Sequence, residues 1–552
     1  MKRRGRWRKR RMKIAGEQKR QAAGIREQLT SIGRLWAGFA EFIRAHAWLA
    51  GILAVILGLV YGNQAFNNYF YIDKEIMVND AGSFYAYGDV GRFGMIFVKK
   101  LLGLSWYNPY LAGALLLITL WLTGMGGAYL FYSLDKRLKA APLLIFMLLF
   151  LVYPTYVEQF LFQYQAFEVA LGILLLVVSD WHLMLALREK SWLAFLLSLP
   201  LVVISFGIYQ SMVPIQLCLY LGCFLMLLYG EEAEGKKRNV FAAVGWVVAH
   251  FLIAFVVYEV IAKLFFTHMD YLTDQVVWKD TELKVVLMYI KGYIRDVVMA
   301  EGIYYTPTYN ICWIIGLGAM ALLFLRLKRK SVWYGLGLLG VVLSPFFLTF
   351  IIGRFQFPRV QLTLPLACGV LWLFGSHVLL MELKAFWKKG AAAFLAAAGC
   401  AMIFMNAMPM MRLFYTRDVI GKADEMTAAM LIGDLDDVIA VHQGKPVIFI
   451  GHRQALVNAT CYEEEVNGTY VVLSAFGIEY MMEPEYYYST LRLLGFFETL
   501  GFKFRGPTME MMSSAYEDSK DMVVWPLEGS IKEFDDYVIV KLSAPEYDKA
   551  VP

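Results

Sequence analysis

The sequence predicts a mainly α-helical, polytopic membrane protein with about eleven transmembrane helices and a small carboxyl-terminal α/β domain. Of its 552 residues, 59% are hydrophobic and only 18% are charged, whereas soluble domains carry about 25% charged residues. The apolar residues are gathered into eleven uncharged runs, and a helix needs about 20 such residues to cross a bilayer. Loops on alternate sides of these runs also differ in charge, as membrane topology requires. This class excludes a cytosolic enzyme, a secreted disulfide scaffold and a nucleic-acid-binding domain.

The first predicted unit is a basic segment, residues 1–45. It holds fourteen Lys and Arg against three Glu, a net charge of +11, so the remaining chain carries −5 to reach the total of +6. A basic arm can bind nucleic acid, but this one directly precedes an apolar run. We therefore expect a cytoplasmic anchor that is attracted to anionic lipid, with no nucleic-acid partner.

The second predicted unit is the transmembrane domain, residues 46–409. Its predicted spans are 46–66, 109–134, 140–154, 166–186, 191–206, 211–230, 239–266, 307–326, 332–352, 360–381 and 390–409. With the amino terminus inside, the five inside loops are 135–139, 188–190, 231–238, 326–330 and 382–389, and together they carry fifteen Lys and Arg against ten in the much longer outside loops. This asymmetry predicts a plasma-membrane protein whose amino terminus is cytoplasmic and whose carboxyl terminus is extracytoplasmic.

Three predicted outside segments are long. The first loop, residues 67–108, contains a pattern over 91–104 that is typical of an amphipathic helix on the membrane surface. The second, 267–306, spaces its aromatic residues as a helix does. The third, 410–552, is the predicted α/β domain, with strands at 445–451, 469–477 and 536–543 and helices at 418–440 and 486–501.

The first loop combines acids with aromatic residues and glycines. Its acids are Asp73, Glu75, Asp80 and Asp89, and Arg92 follows them, with tyrosines that include Tyr85 and Tyr87 between them. These residue types suit a carbohydrate site, where a carboxylate takes a hydroxyl proton, rings stack on sugar faces and an arginine binds a phosphate leaving group. The alternative is an ordinary solvated loop.

Two arginines, Arg354 and Arg359, lie in a short predicted outside loop, where topology disfavours positive charge. A guanidinium matches phosphate oxygens, so both are candidates for binding a phosphate. The alternative is contact with lipid headgroups. Polar residues between Glu158 and Glu168 either line a cavity or face water.

These residues give the chain a family resemblance. Asn79-Asp80 is followed by an aromatic-rich stretch and Gly91-Arg92. Later come Pro358, Arg359, Val360, Leu362, Leu364 and Pro365, and then Tyr415-Thr416-Arg417-Asp418. In this order, over roughly residues 46–430, the chain resembles the GtrII family of bacterial membrane glucosyltransferases. Where that family often has two adjacent acids, this chain has Asn79-Asp80, which concentrates the predicted role on Asp80.

The resemblance implies a glycosyltransferase of the GT-C type that takes a sugar, glucose by the family, from a polyprenyl-phosphate carrier and attaches it to a cell-surface glycan on the outer face. It makes Asp80 the general base and Asp89 the second choice. Arg92, Arg354 and Arg359 become candidates for binding the donor phosphate, and Tyr85 and Tyr87 for stacking on sugar. Asp73 and Glu75 are the candidates for holding a divalent metal.

Three alternatives remain open at this point. A lipid-linked sugar flippase or transporter would share the apolar runs and the arginines but would form no glycosidic bond. A membrane scaffold would present the carboxyl-terminal domain to partners. Another GT-C member, such as a mannosyltransferase or an oligosaccharide ligase, would use a different sugar.

Overall fold

The computed structural model describes residues 2–68, 70–71, 73–236, 239–265, 276–462, 474–477 and 486–543, with side chains from residue 24 onward. It confirms the mainly α-helical membrane class and a small carboxyl-terminal sheet. The helices of the first part of the chain are α1 Lys2–Ala45, α2 Ala47–Phe66, α3 Lys74–Asn79, α4 Phe93–Leu101, α5 Pro109–Leu134, α6 Ala140–Leu151, α7 Thr155–Phe160, α8 Gln163–Glu189, α9 Trp192–Ile208, α10 Met212–Ala233 and α11 Val240–Phe265.

The later helices are α12 Leu283–Met299, α13 Thr308–Leu327, α14 Val332–Leu343, α15 Phe347–Ile352, α16 Thr363–Glu382, α17 Ala385–Asp436, α18 Ile439–His442, α19 Tyr487–Thr499 and α20 Met509–Asp518. Short 3-10 helices lie at Ser83–Tyr87, Lys328–Ser331, Ser344–Phe346 and Pro358–Val360.

Within the described ranges, eight helical stretches are long and apolar enough to cross a membrane. The predicted spans at 140–154 and 191–206 are shorter apolar helices, α6 and α9, and the two at 307–326 and 332–352 join into one stretch, Thr308–Ile352. Because several predicted spans are short or merged, eleven crossings stay a prediction. The last predicted span and the predicted helix 418–440 are one helix, α17, of 52 residues.

Close packing of helices holds the bundle together. Gly113 of α5 lies against the backbone of α2, where a Cβ atom would come 1.8 Å from the carbonyl oxygen of Ala65. Gly94 of α4 meets α9 in the same way, 2.3 Å from the carbonyl oxygen of Ile204. The amphipathic helix predicted over 91–104 therefore forms, as α4, and it is packed tightly on the bundle.

The five predicted inside loops are grouped at one end of the bundle. Arg188 donates to the carbonyl oxygen of Leu134 at 2.9 Å, and Arg137 donates to that of Tyr229 at 3.3 Å. Glu382 accepts a hydrogen bond from Tyr229 at 2.7 Å and pairs with Arg326. We call this end, where α5, α8, α10 and α16 finish, the far end, and the opposite end, where those helices begin, the pocket end. Which side of the membrane each end faces stays a prediction.

The carboxyl-terminal domain contains a three-stranded sheet in the order β1-β3-β2, with β1 Val447–Ile450, β2 Ile531–Glu533 and β3 Val538–Lys541. β1 is parallel to β3, with Val447 opposite Val538, and β2 is antiparallel to it. The strands predicted at 445–451 and 536–543 and the helix predicted at 486–501 are thus confirmed. Most of the strand predicted at 469–477 lies outside the described residues, and β2 was not expected.

Candidate functional site

A pocket of about 440 Å³ opens at the pocket end of the bundle, within the range typical of small-molecule sites. It is formed by the first loop, the start of α8, the turn before α10, α15 and the segment around the 3-10 helix Pro358–Val360. Its lining includes the charged residues Asp73, Arg92 and Arg359 and the polar residues Tyr87 and Gln165.

Arg92 is the N-terminal flanking residue of α4, and the chain reaches it through Gly91, whose φ of 72° is left-handed and favours glycine. Its guanidinium lies 4.7 Å from the ring centre of Tyr209 and 5.9 Å from that of Tyr87. Its Nη1 is 3.5 Å from Gln165 Oε1, and its buried Nε has no acceptor within the part of the chain that is described. A charged donor with unused hydrogen-bonding capacity at a pocket wall suits an anionic ligand.

Arg359 also lines the pocket. Its Nη1 donates to Glu158 Oε1 at 3.1 Å and its backbone N–H donates to Oε2 at 3.0 Å. The rings of Phe357 and Phe162 flank the guanidinium at 4.6 and 5.7 Å. The Glu158 side chain is fully buried while 24% of Arg359 is exposed, so the carboxylate anchors the guanidinium from behind and leaves one side toward the pocket.

Asp73 is an acidic residue in the lining of the pocket. Its backbone is left-handed, with φ 68°, where α3 begins. The Oδ1 atom accepts a hydrogen bond from Arg492 Nη2 at 2.6 Å, and 48% of the side chain is exposed. The second nitrogen of Arg492 pairs with Glu75, whose side chain is buried. Burial raises the pKa of Glu75, and Arg492 opposes that rise.

The two predicted metal candidates, Asp73 and Glu75, thus share a guanidinium. A divalent cation on the same carboxylates would have to displace Arg492 or be repelled by it. In the described ranges, no group of three Asp, Glu, His or Cys side chains is placed to hold a metal ion. These residues do not fit a metal site, and we derive no chemical step from a metal.

The other predicted residues lie outside this pocket lining. Asp80 is exposed at the end of α3, where its Oδ1 accepts from the backbone N–H of Gly82 at 2.8 Å. Asp89 is also exposed. Tyr85 is 53% exposed, with Lys100 Nζ 4.6 Å from its ring centre. Arg354 is half-buried and is absent from the lining of the pocket among the residues described. The structure brings together Arg92, Arg359 and Tyr87, and the roles of all these residues stay predictions.

Aromatic rings form the floor beside Arg92. Tyr87 stacks on Tyr164 with ring centres 6.3 Å apart, and the hydroxyl of Tyr71 accepts from the backbone N–H of Tyr164 at 2.9 Å. Burial raises the pKa of Tyr87 far above its ordinary value, although Arg92 opposes that rise. Its hydroxyl therefore stays protonated and remains a hydrogen-bond donor.

A buried ion pair lies beneath this floor. Lys99 Nζ is 2.7 Å from Glu168 Oε1, both side chains are 3% exposed, and the ammonium is 3.8 Å from the centre of the Tyr164 ring. The ammonium also donates to the carbonyl oxygen of Tyr164 at 2.6 Å. The pair fixes α4, which carries Arg92 at its start, against α8.

The sequence pointed to Glu158, Glu168 and the intervening Gln165 as residues that either line a cavity or face water, without choosing between the two, and Gln165 lines the pocket. Arg492 was missed. For the two acids, the signal was their position beside a short turn at the end of an apolar span. For Arg492 there was no signal, because it lies 419 residues from its partner Asp73.

An apolar groove of about 500 Å³ runs along the bundle between α10, α11 and α14. Its lining includes Phe224, Val248 and Trp333. It ends at α15, whose Phe347 and Phe350 line the groove while Leu348 and Ile352 of the same helix line the site pocket. α15 therefore separates an apolar groove from a pocket that contains two arginines.

Comparison with known proteins identifies the family. No curated protein and no solved structure matches the chain. A family model described as glucosyl transferase GtrII matches residues 62–376, which is more than half of the chain. The matched region contains Asp73, Arg92, Glu158 and Arg359, and it ends before the carboxyl-terminal domain. The chain therefore belongs to the GtrII family of glucosyl transferases, and it is a membrane glycosyltransferase.

Proposed function

We propose that the protein is a GT-C type enzyme that moves glucose from a polyprenyl-phosphate carrier to a cell-surface glycan on the outer face of the membrane. The observation that carries this proposal is the pocket in which Arg92 and Arg359 flank a space of about 440 Å³. The buried Nε of Arg92 has no acceptor, and no carboxylate pairs with Arg92, in the part of the chain that is described. A phosphate would supply both the acceptor oxygen and the negative charge.

The apolar groove supports a lipid carrier over a soluble nucleotide sugar. Its lining carries almost no polar surface, and α15 lines both the groove and the pocket, through different residues. An amphiphile with an anionic head and a long hydrocarbon tail would place its phosphate beside Arg92 and its tail along α10 and α14. The tail then remains in an apolar environment throughout the reaction.

The chemistry is a displacement at the anomeric carbon. A carboxylate takes the proton of the acceptor hydroxyl, the hydroxyl oxygen forms a bond to C1 of glucose, and the bond between C1 and the phosphate oxygen breaks. The departing polyprenyl phosphate carries the negative charge that Arg92 and Arg359 are placed to stabilise. A general base of this kind contributes about 10²–10⁴-fold to the rate.

The geometry favours Asp73 over Asp80 as this base. Asp73 lines the pocket together with Arg92, whereas Asp80 is exposed and hydrogen-bonds to its own turn at Gly82. Asp80 remains the residue that the family resemblance points to. The two carboxylates are seven positions apart in one loop, so isosteric Asn variants form a matched pair.

The location on the outer face rests on the charge of the loops. Within the described residues, the far end carries thirteen of the fifteen Lys and Arg of the predicted inside loops, which supports an outside location of the pocket end by the positive-inside rule. Access of a cysteine-reactive, membrane-impermeant reagent to Ser83→Cys in intact cells tests this orientation, with Lys388→Cys as the matched site at the far end.

The function is tested with full-length protein in vesicles, polyprenyl-phosphate-[14C]glucose as donor and a bacterial envelope fraction as the source of acceptor. Wild-type protein should move label into glycan and release polyprenyl phosphate, Asp73→Asn should reduce transfer by about 10²-fold or more, and Asp80→Asn should retain it. Transport of the labelled lipid across the vesicle without release of polyprenyl phosphate would instead support a flippase. Loss of transfer in Asp80→Asn alone would return the base to Asp80.

A further inference from the structure

The carboxyl-terminal domain contacts the first loop through α19, next to the pocket. Arg492 of α19 donates to Asp73 at 2.6 Å and pairs with Glu75 through its other nitrogen. One turn later, the carbonyl oxygen of Gly495 accepts from Asn79 Nδ2 at 2.9 Å. These three contacts hold both ends of α3, a helix of only six residues.

We propose that Arg492 is a positioning residue for Asp73, and that the carboxyl-terminal domain thereby completes the active site. This inference rests on the proposed function, in which Asp73 is the base. The region that matches the family ends at residue 376, so the residues that hold Asp73 in place come from outside it.

The contact between α19 and α3 is too close for any residue larger than glycine at position 495. A Cβ atom there would lie 2.8 Å from Glu75 Cγ and 3.1 Å from its Cβ. An apolar contact secures the same junction, because Phe70 stacks edge-on against Phe496 with ring centres 4.9 Å apart. The domain is therefore seated on the loop by packing as well as by charge.

Asp73 needs such support for two physical reasons. A left-handed backbone is unfavourable for a non-glycine residue and persists where neighbours hold it. Asp73 and Glu75 also repel each other, and Arg492 is the cation between them, with 18% of its side chain exposed. Without Arg492, Asp73 would be free to turn away from the pocket toward solvent.

Titratable and charged groups face Asp73 from each neighbouring element: Arg492 from α19, Glu75 from α3 and Tyr87 from the 3-10 helix. Of these, Arg492 is the cation, and its two nitrogens hold Asp73 and Glu75 in one arrangement.

The experiment compares Arg492→Ala, Arg492→Lys and Lys503→Ala in the full-length protein with the labelled donor and envelope acceptor. Lys503 is the matched control, because it is 79% exposed and pairs with Glu498 at the end of the same helix. We expect Arg492→Ala to lower kcat by roughly 100-fold, as a misplaced catalytic group does, with the KM for donor within about threefold. Arg492→Lys should recover part of kcat, and Lys503→Ala should equal wild type.

Gly495→Ala provides a second variant that alters no charge. Its Cβ would push α19 away from Glu75, so kcat should fall and the exchange of backbone amides over 73–80 with deuterium should accelerate. If Arg492→Ala reduces only the amount of folded protein, with kcat per folded molecule unchanged, the inference is overturned. An active Asp73→Asn variant would instead overturn the choice of base, and the positioning role with it.

Discussion

The two ends of the helix bundle use the same residue types in opposite ways. At the far end, Asp135 accepts from Arg137 through both oxygens, at 2.9 and 2.6 Å, and lies 2.9 Å from His377 Nε2. Its side chain is 2% exposed. The Asp135 carboxylate is therefore satisfied by groups of the protein itself. At the pocket end, Arg92 has no paired carboxylate among the described residues and Arg359 has one on only one side.

This difference shows what distinguishes a ligand site from a structural ion pair in this protein. Both ends place an arginine beside a buried carboxylate, so composition alone does not separate them. At the pocket end, arginines line a space large enough for a ligand. Unused hydrogen-bonding capacity is costly in a buried group unless a ligand satisfies it.

Among the variants that compare the two ends, the largest effect should come from replacing Arg92, which has no carboxylate partner among the described residues. Arg92→Ala removes a charged donor to the phosphate, and hydrogen bonds to charged groups contribute about 1.5–3 kcal/mol, so kcat/KM for donor should fall by roughly 10- to 100-fold. Arg137→Ala is the far-end control and should change kcat/KM by less than about twofold. Steady-state kinetics with polyprenyl-phosphate-[14C]glucose measures both. Equal losses in the two variants would remove the functional distinction between the ends.

A smaller effect, of opposite sign, should follow from neutralising the anchor of Arg359. Glu158→Gln keeps the shape of the side chain but raises the net charge beside the pocket by one, which strengthens anion binding. We expect polyprenyl phosphate to become a tighter product inhibitor by about fivefold, with Glu382→Gln at the far end as the matched control. An inhibition constant that does not change would mean that Arg359 is not part of the anion site.

The sequence was sufficient for the membrane class and for the residues that charge and topology single out. Long apolar runs became long apolar helices because the bilayer leaves few other solutions. Arg359 was singled out because positive charge is unusual where it occurs, and Arg92 because it follows the acids and aromatic residues of the first loop. Both line the pocket. Arg354 satisfied the same reasoning and lies outside the lining, because the short loop turns between the two positions.

The choice among the acids could not be made from the sequence. Asp73 and Asp80 have similar polar neighbours in the sequence. Their backbones differ in the structure, because Asp73 itself is the left-handed residue at the start of α3. The helix that holds Asp73 comes from a domain more than 400 positions later in the chain. Local pattern and charge carry no information on such a contact, so the sequence could not predict it.

A lesser effect is expected at the aromatic floor of the pocket. Tyr87→Ala removes a ring that stacks on Tyr164, and aromatic pairs contribute about 0.5–1.5 kcal/mol. The KM for donor should therefore rise about threefold, whereas Tyr85→Ala, at an exposed position outside the lining, should leave it unchanged. If the two variants behave alike, sugar or phosphate recognition does not depend on the side of the 3-10 helix that faces the pocket.

The smallest effect on transfer is expected from Asp135→Asn, which should leave transfer unchanged at neutral pH. This variant tests instead whether the charge of Asp135 stabilises the far end. Burial alone would raise the pKa of Asp135, but hydrogen bonds from His377 and Arg137 lower it below its ordinary value of 3.8. A lowered pKa means that the stabilisation is present above about pH 4 and is lost as the pH falls below it. In thermal unfolding of the detergent-solubilised protein at pH 7, the free energy of unfolding of the wild type should exceed that of the variant by about 2 kcal/mol. This difference should shrink below pH 4. A difference that persists unchanged at acidic pH would show that Asp135 stabilises by shape and not by charge, and the far end would then no longer serve as the charged counterpart of the pocket.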